Sequence, residues 1–500
     1  MRRVTRTMDL PKFPEDLEWL NTERPLKLAD LSGKAVLLNF FTSCCINCTH
    51  VVADLKRLHA RYAPELLVIG VHSPKLSAER EANAVRDAIL RLGIDYAVVN
   101  DRDMRIWKQH EVRAWPTTML VAPHGRIIET RVGEGIFDAL DGTIGAVLSG
   151  AIRTGDVDHA PLPLRAEGEQ APAQPLSFPG SVLADESSER LFISDTGNNR
   201  VIIADLDGTV LDVVGRGSAG REDGAFDRAT FRSPRGLALD GSMLYVADQG
   251  NHSIRRLDLD LRVVQRIAGT GHQAPALVEP GSALKTDLNS PWDLQLIHHR
   301  LYMTMAGAHQ IWRLDLQAEA LEAYAGGSVA GLVDGTRLDC LLAQPSGLTS
   351  DGVRLFLTDA ASSALRWVYL PPGRQLGTWI GRGLFQYGDV DGKAGDALLQ
   401  HPIGLTHHDG LIYVADTHNN KVKVFNPRPA RILTLFGTGE RGHRDGEPGA
   451  LNGPSDVSCV GGRMWIADTN NHAIRVASIN GGAMETLELH PAERLEPPGT

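Results

Sequence analysis

LLNFFTSCCINCTHVVADLKRL, residues 37–58, holds Cys44, Cys45 and Cys48, three of the chain's five cysteines. The apolar run before them reads as a buried strand, and the spacing of Val51, Val52, Leu55 and Leu58 after them predicts an amphipathic helix over 46–62. The cysteines therefore stand at a strand-to-helix junction. A thiol at a helix N-terminus meets unpaired N–H groups and the positive end of the macrodipole, which lower its pKa and raise its thiolate fraction.

Working outward, LLVIGVHS (66–73) and DYAVV (95–99) read as strands, 78–93 and 104–110 as helices, 117–130 as a hairpin and 135–148 as a last helix. That alternation predicts an α/β sandwich around a mixed sheet. Cys45-Ile46-Asn47-Cys48, the FFTS leading into it and VRAWPTTMLVAPHGRI (112–127) together resemble the thioredoxin-like family. The resemblance implies that Pro116 is cis and lies against the dithiol, that Cys45 attacks, and that Cys48 resolves the mixed disulfide. Two positions depart from the family pattern. Cys44 stands where Trp is common, and Asn39, which cannot take a proton, stands where thioredoxin has a buried Asp. Cys44 could pair with Cys48, attack a substrate itself, or pack. Competing readings of the cluster are zinc held by Cys44, Cys45, Cys48 and His50, a peroxidase suggested by Thr42-Ser43-Cys44-Cys45, and an inert binding fold; Leu38 stands where the peroxidase pattern has Pro.

At 500 residues the chain exceeds one ordinary core, and 42% hydrophobic with 22% charged residues is a globular composition. The N-terminus lacks a signal-length apolar stretch and no segment is apolar enough to span a bilayer, so the expected setting is cytoplasmic, with no membrane partner. Residues 1–155 carry 21 basic against 19 acidic residues, and 156–500 carry 30 against 42. An acidic second part repels phosphate backbones, so nucleic acid is not the expected partner; retention on an RNA column lost by reversing Arg200, Arg255 and Arg475 would speak for RNA binding by the propeller.

That second part repeats. Pro179, Pro234, Pro291, Pro345, Pro402 and Pro454 recur every 52 to 57 residues, and in five of six copies a strand-ending position follows 14 residues later. Each unit carries four strand signals, which predicts a six-bladed β-propeller with the Asp-containing turns and the inserts before each Pro on one rim. DTGNNRV, DQGNHSI, DTHNNKV and DTNNHAI resemble the turns of the NHL repeat family, whose members form such propellers. Asp accepts backbone N–H groups in tight turns and Asn tolerates φ > 0, so these residues read as turn architecture. The third copy has Met305 for Asp and the fourth lacks the Asn pair. His252, His309, His418 and His472 read as exposed turn residues, and Cys340 and Cys459 as small buried hydrophobes.

The expected organisation is a thioredoxin-like domain over 1–155, a linker over 156–175 with PLPLRAE as a possible edge strand, a propeller over 176–490 and a tail over 491–500. This pairing, with Cys44-Cys45-Ile46-Asn47-Cys48, resembles the NHL repeat-containing protein 2 family. The reading that results is thiol–disulfide exchange through Cys45 and Cys48, with Cys44 and Pro116 beside them, on a protein partner bearing thiols or disulfides and docked by the propeller rim. No cofactor and no metal are expected, and the alternative is a non-catalytic scaffold.

Overall fold

Strands β2 (Ala35–Phe41) and β3 (Leu66–His72) are buried at every residue and pair in parallel, as expected of a sheet covered on both faces. They form the centre of a six-stranded sheet completed by β1 (Glu18–Leu20), β4 (Ala97–Asn100), β5 (Thr117–Val121) and β6 (Ile127–Val132), in the order β1-β4-β3-β2-β5-β6. On one face α2 (Ile46–Tyr62), α3 (Ala82–Leu92) and α5 (Ile136–Thr154) bury Val51, Leu55, Val85 and Ile144 against Leu37, Val68 and Val98. The other face is covered by Leu17, by Leu26 and the short helix α1 (Leu28–Leu31), and by α4 (Arg105–Gln109). The expected helix from residue 78 begins only at Ala82, because Ser77–Glu79 forms a separate 3₁₀ turn that carries Glu79 inward.

The computed structural model describes residues 13–170, 174–275 and 279–491, so most of the expected tail lies outside the described residues. The chain divides into two units, Met1–Ala173 and Gln174–Thr500. The stretch expected to be a linker runs back along the first unit. The buried Lys34 ammonium draws it in by donating to the carbonyls of Asp158 (2.9 Å) and Ala160 (2.6 Å), and Leu164 forms a single antiparallel bridge with Thr22.

In the second unit six sheets follow the predicted repeat. Blade two shows the plan, with Pro234–Asp240, Met243–Asp248, Ser253–Asp258 and Val263–Ala268 as antiparallel neighbours. Its outer edge is then covered by a two-residue strand, Gly224–Ala225, a device repeated in blades three to five. Blade one uses His490–Pro491 for the same purpose, in parallel with Thr209 and Val210. Near the axis the inner strands approach closely: a Cβ on Gly236 would lie 2.4 Å from the Cα of Asp293, and one on Gly404 2.5 Å from the Cα of Asp456.

The Asp turns are internal braces. Asp248 Oδ1 accepts the Arg232 N–H at 2.8 Å, while Oδ2 accepts Asn251 Nδ2 at 2.8 Å and Arg255 Nη1 at 3.0 Å. Asp359 with Arg366, Asp416 with Lys423 and Asp468 with Arg475 repeat the pair seven residues apart; Asp195 is met by Arg200. Met305 and Trp312 occupy the corresponding sites in blade three, packed in its apolar core.

The residue closing each turn has φ between 48° and 57° and reaches the next blade. Asn199, His252, His309, Ser363, Asn420 and His472 accept the backbone N–H of Ser233, Ser290, Gln344, His401, Gly453 and Phe178 at 2.9 to 3.2 Å. The last of these closes the ring. His252, His309 and His472 are therefore half-buried acceptors, not exposed turn residues as expected, because the left-handed turn folds the ring back onto the neighbouring blade.

Candidate functional site

Strand β2 ends at Phe41 and α2 starts at Ile46, so residues 42–45 form the loop that presents the thiols. Cys45 is the N-cap of α2, in extended conformation and partly exposed, whereas Cys48, one turn on, is 1% exposed in the core. The Cys48 thiol donates to Cys45, and the N–H groups of Cys48 and Asn47 and the Lys75 charge assist, so the Cys45 thiol is lowered in spite of burial. Burial, then the hydrogen bond and charge of Cys45, push Cys48 well up. The pair is polarised: a partly exposed thiol shifted toward its thiolate form and a buried thiol that keeps its proton.

The peptide Trp115–Pro116 is cis. Since Phe40 is in register with Thr117, Pro116 lies beside the end of β2 where the thiol loop departs. Trp115 is anchored by Nε1 donating to the Ser73 carbonyl at 2.8 Å and by a ring contact with Trp107 at 4.5 Å. Asn39 is fully buried in β2, with Oδ1 accepting from Thr118 Oγ1 at 3.1 Å, so it supplies no base for Cys48. His50 turns to Glu134, at 2.6 Å from Nδ1. Among the described residues no group of three His, Cys, Asp or Glu side chains is arranged to hold a metal ion.

Cys44 is 7% exposed, and beneath it lies a group that the sequence reading passed over. Glu79, 1% exposed, accepts from Thr42 Oγ1 (2.7 Å), Ser43 Oγ (2.6 Å), Cys44 N (3.1 Å), Lys75 N (3.0 Å) and Leu76 N (3.0 Å). The Cys44 thiol donates to it at 3.6 Å. In the sequence Glu79 looks like an ordinary acidic residue near a helix start. Only its offset, ahead of the apolar period of α3, could have signalled another role.

On the propeller, Arg255 and Arg475 are buried with their aspartates, and Arg200 is bonded to Asp195 and the Pro175 carbonyl. Arg255 and Arg475 thus present no surface to a phosphate. Cys340 and Cys459 are buried, and burial raises both thiols, Cys459 to about 12. No helix among the described residues is long and apolar enough to cross a membrane.

Residues 33–127 match the family model described as Thioredoxin-like. The chain is 35% identical to NHL repeat-containing protein 2 of Gallus gallus, over 97% of this chain and 72% of that one. It is 38% identical to Protein SUPPRESSOR OF QUENCHING 1, chloroplastic, of Arabidopsis thaliana, over 98% of this chain but 48% of that protein, so it spans about half of the plant relative's length. It is also similar to the thiol-disulfide oxidoreductase ResA of Halalkalibacterium halodurans, 28% identical over 24% of this chain and 63% of the other.

Proposed function

The chain belongs to the NHL repeat-containing protein 2 family, and on that premise we propose that Cys45 and Cys48 carry out thiol–disulfide exchange with a protein partner selected by the propeller. The observation that carries the reading is the polarity of the pair, Cys45 lowered and half-exposed, Cys48 raised and buried. The Cys45 thiolate attacks one sulfur of a partner disulfide; that S–S bond breaks, a Cys45 mixed disulfide forms, and the partner's other sulfur leaves as thiolate and takes a proton. Cys48 then gives up its proton and attacks Cys45 Sγ, releasing the partner's second thiolate and leaving Cys45–Cys48 oxidised. Two electrons have passed to the partner, and a dithiol reductant must return them. Pro116 and the Trp115 backbone form the platform for the partner chain. We place this exchange in the cytoplasm, where a tight cysteine cluster serves chemistry more than cross-linking.

Insulin reduction driven by dithiothreitol tests the reading. Cys45→Ser and Cys48→Ser are expected to lose turnover, with Cys48→Ser accumulating a mixed disulfide; equal rates in the wild type and both variants overturn it. A second reading, protein docking without exchange, is favoured by exposed apolar side chains on the loops entering blades four and five, Val329 (64% exposed), Leu338 (63%) and Phe385 (70%).

A further inference from the structure

Two adjacent cysteines at one helix N-terminus pose a selection problem, because either sulfur could serve as nucleophile and either could pair with Cys48. Resting on the exchange reading above, we infer that Glu79 is the positioning residue that solves it: it holds Cys44 as a hydrogen-bond donor and so leaves Cys45 as the only attacking sulfur.

The geometry carries this. Around the Glu79 carboxylate are gathered two hydroxyls, three backbone N–H groups and one thiol, drawn from the dithiol loop (Thr42, Ser43, Cys44) and from the loop after β3 (Lys75, Leu76). An ionised carboxylate is acceptor-only, and a group of donors of this kind favours that form. Whatever sulfur lies against it must donate a proton, and a thiolate there would set two negative charges side by side in a site almost closed to water. Thr42 Oγ1, 3.6 Å from Cys44 Sγ, gives its own proton to Glu79, so hydroxyl and thiol share the one carboxylate.

The titratable and charged groups facing Cys44 are Glu79, Lys75, Cys45 and Cys48, with His72 behind Glu79, its Nε2 4.0 Å from Oε1. Burial is the first cause that raises the Cys44 thiol and the Glu79 charge the second; Lys75 acts the other way. Burial also lowers His72, so its positive charge does not cancel the carboxylate at neutral pH. Cys45, one residue on, instead receives the Cys48 thiol and the first N–H groups of α2. The same short loop thus holds two thiols in opposite electrostatic surroundings.

Site-resolved alkylation of the fully reduced chain with iodoacetamide, read by peptide mass spectrometry from pH 6 to 10, tests this independently of any redox partner. Failure of insulin turnover would count against the exchange reading, and the labelling would still judge Glu79. At pH 7.5 Cys45 of the wild type is expected to react at least about 30-fold faster than Cys44. Glu79→Gln, which keeps the shape and removes the charge, should raise the Cys44 labelling rate about tenfold at a given pH, a tenfold gain in thiolate fraction, with the Cys45 rate changed less than about threefold. A Cys44 rate unchanged in a folded Glu79→Gln protein overturns the inference, as does an equal rise in the labelling of Cys44 and the buried Cys48, the mark of a loosened loop. If Glu79→Gln does not fold, Cys45→Ser decides: with Glu79 intact Cys44 should stay unreactive, and its labelling at the rate of wild-type Cys45 overturns the proposal.

Discussion

Both units of the chain bury charge, but in different ways. In the propeller each buried turn aspartate faces a cation on the neighbouring strand, and blade three performs the same structural task with Met305 and Trp312. In the thioredoxin-like unit the Glu79 carboxylate is instead met by hydroxyls, N–H groups and a thiol, and the His110 ring by apolar walls. A buried ion pair that one repeat replaces with hydrophobes is architecture, since well-packed apolar groups serve as well. Buried charge held by neutral donors instead sets the protonation of what touches it. The turn pairs of the propeller therefore serve shape, whereas Glu79 acts on the thiol loop it touches.

The comparison breaks most easily at a single cation. Arg255→Met leaves Asp248 buried opposite an apolar group and is expected to destabilise the propeller by about 3–5 kcal/mol, read from urea unfolding of the full chain. A loss under about 1 kcal/mol would mean that the aspartates are held by their N–H donors alone.

Next in size is a pH effect confined to the first unit. Burial pushes His110 down to about 4, against an unfolded value near 6.5. Between those values the unfolded chain binds a proton that the folded chain does not, so stability falls as pH drops from about 6.5 to about 4, by as much as about 3 kcal/mol in all. Denaturant unfolding of the wild type and His110→Phe at pH 7.5, 5.5 and 4.5 checks it. The variant should show a flatter acid limb, and parallel profiles would remove His110 from the account.

Copying blade three into blade six sharpens the contrast. Asp468→Met combined with Arg475→Trp is expected to cost no more than about 1–2 kcal/mol, less than Arg475→Met alone, with a favourable coupling in the double-mutant cycle. Additive losses would show that the two blades are not interchangeable. The smallest effect belongs to the ring latch. His472→Ala removes the acceptor of the Phe178 N–H and should cost about 1 kcal/mol, while His472→Asn, the residue type at Asn199 and Asn420, should recover most of it in thermal unfolding.

The six-fold repeat was legible because the blades share one local chemistry: a Pro at or just before the inner strand, apolar alternation along it, and a turn with a positive φ, opened by Asp in five of the six. The strand-to-helix position of Cys45 and Cys48 was legible for a similar reason, since apolar periodicity changes from a continuous run to the 3.6-residue spacing of Val51, Leu55 and Leu58. What was not legible depends on partners far along the chain. The cations sit seven residues from Asp248, Asp359, Asp416 and Asp468, an offset with no meaning until two antiparallel strands set them face to face. Tertiary packing likewise turned His252, His309 and His472 from surface residues into acceptors for the next blade.

The sequence by itself determined the two architectures and which sulfurs lie at the helix start, because strand, helix and turn preferences are local. Only the tertiary structure decided the surroundings of Cys44. Glu79, 35 residues away, reaches it because β3 lies parallel to β2 and returns its loop beneath the thiols, and burial there gives a single carboxylate its influence over the sulfur beside it.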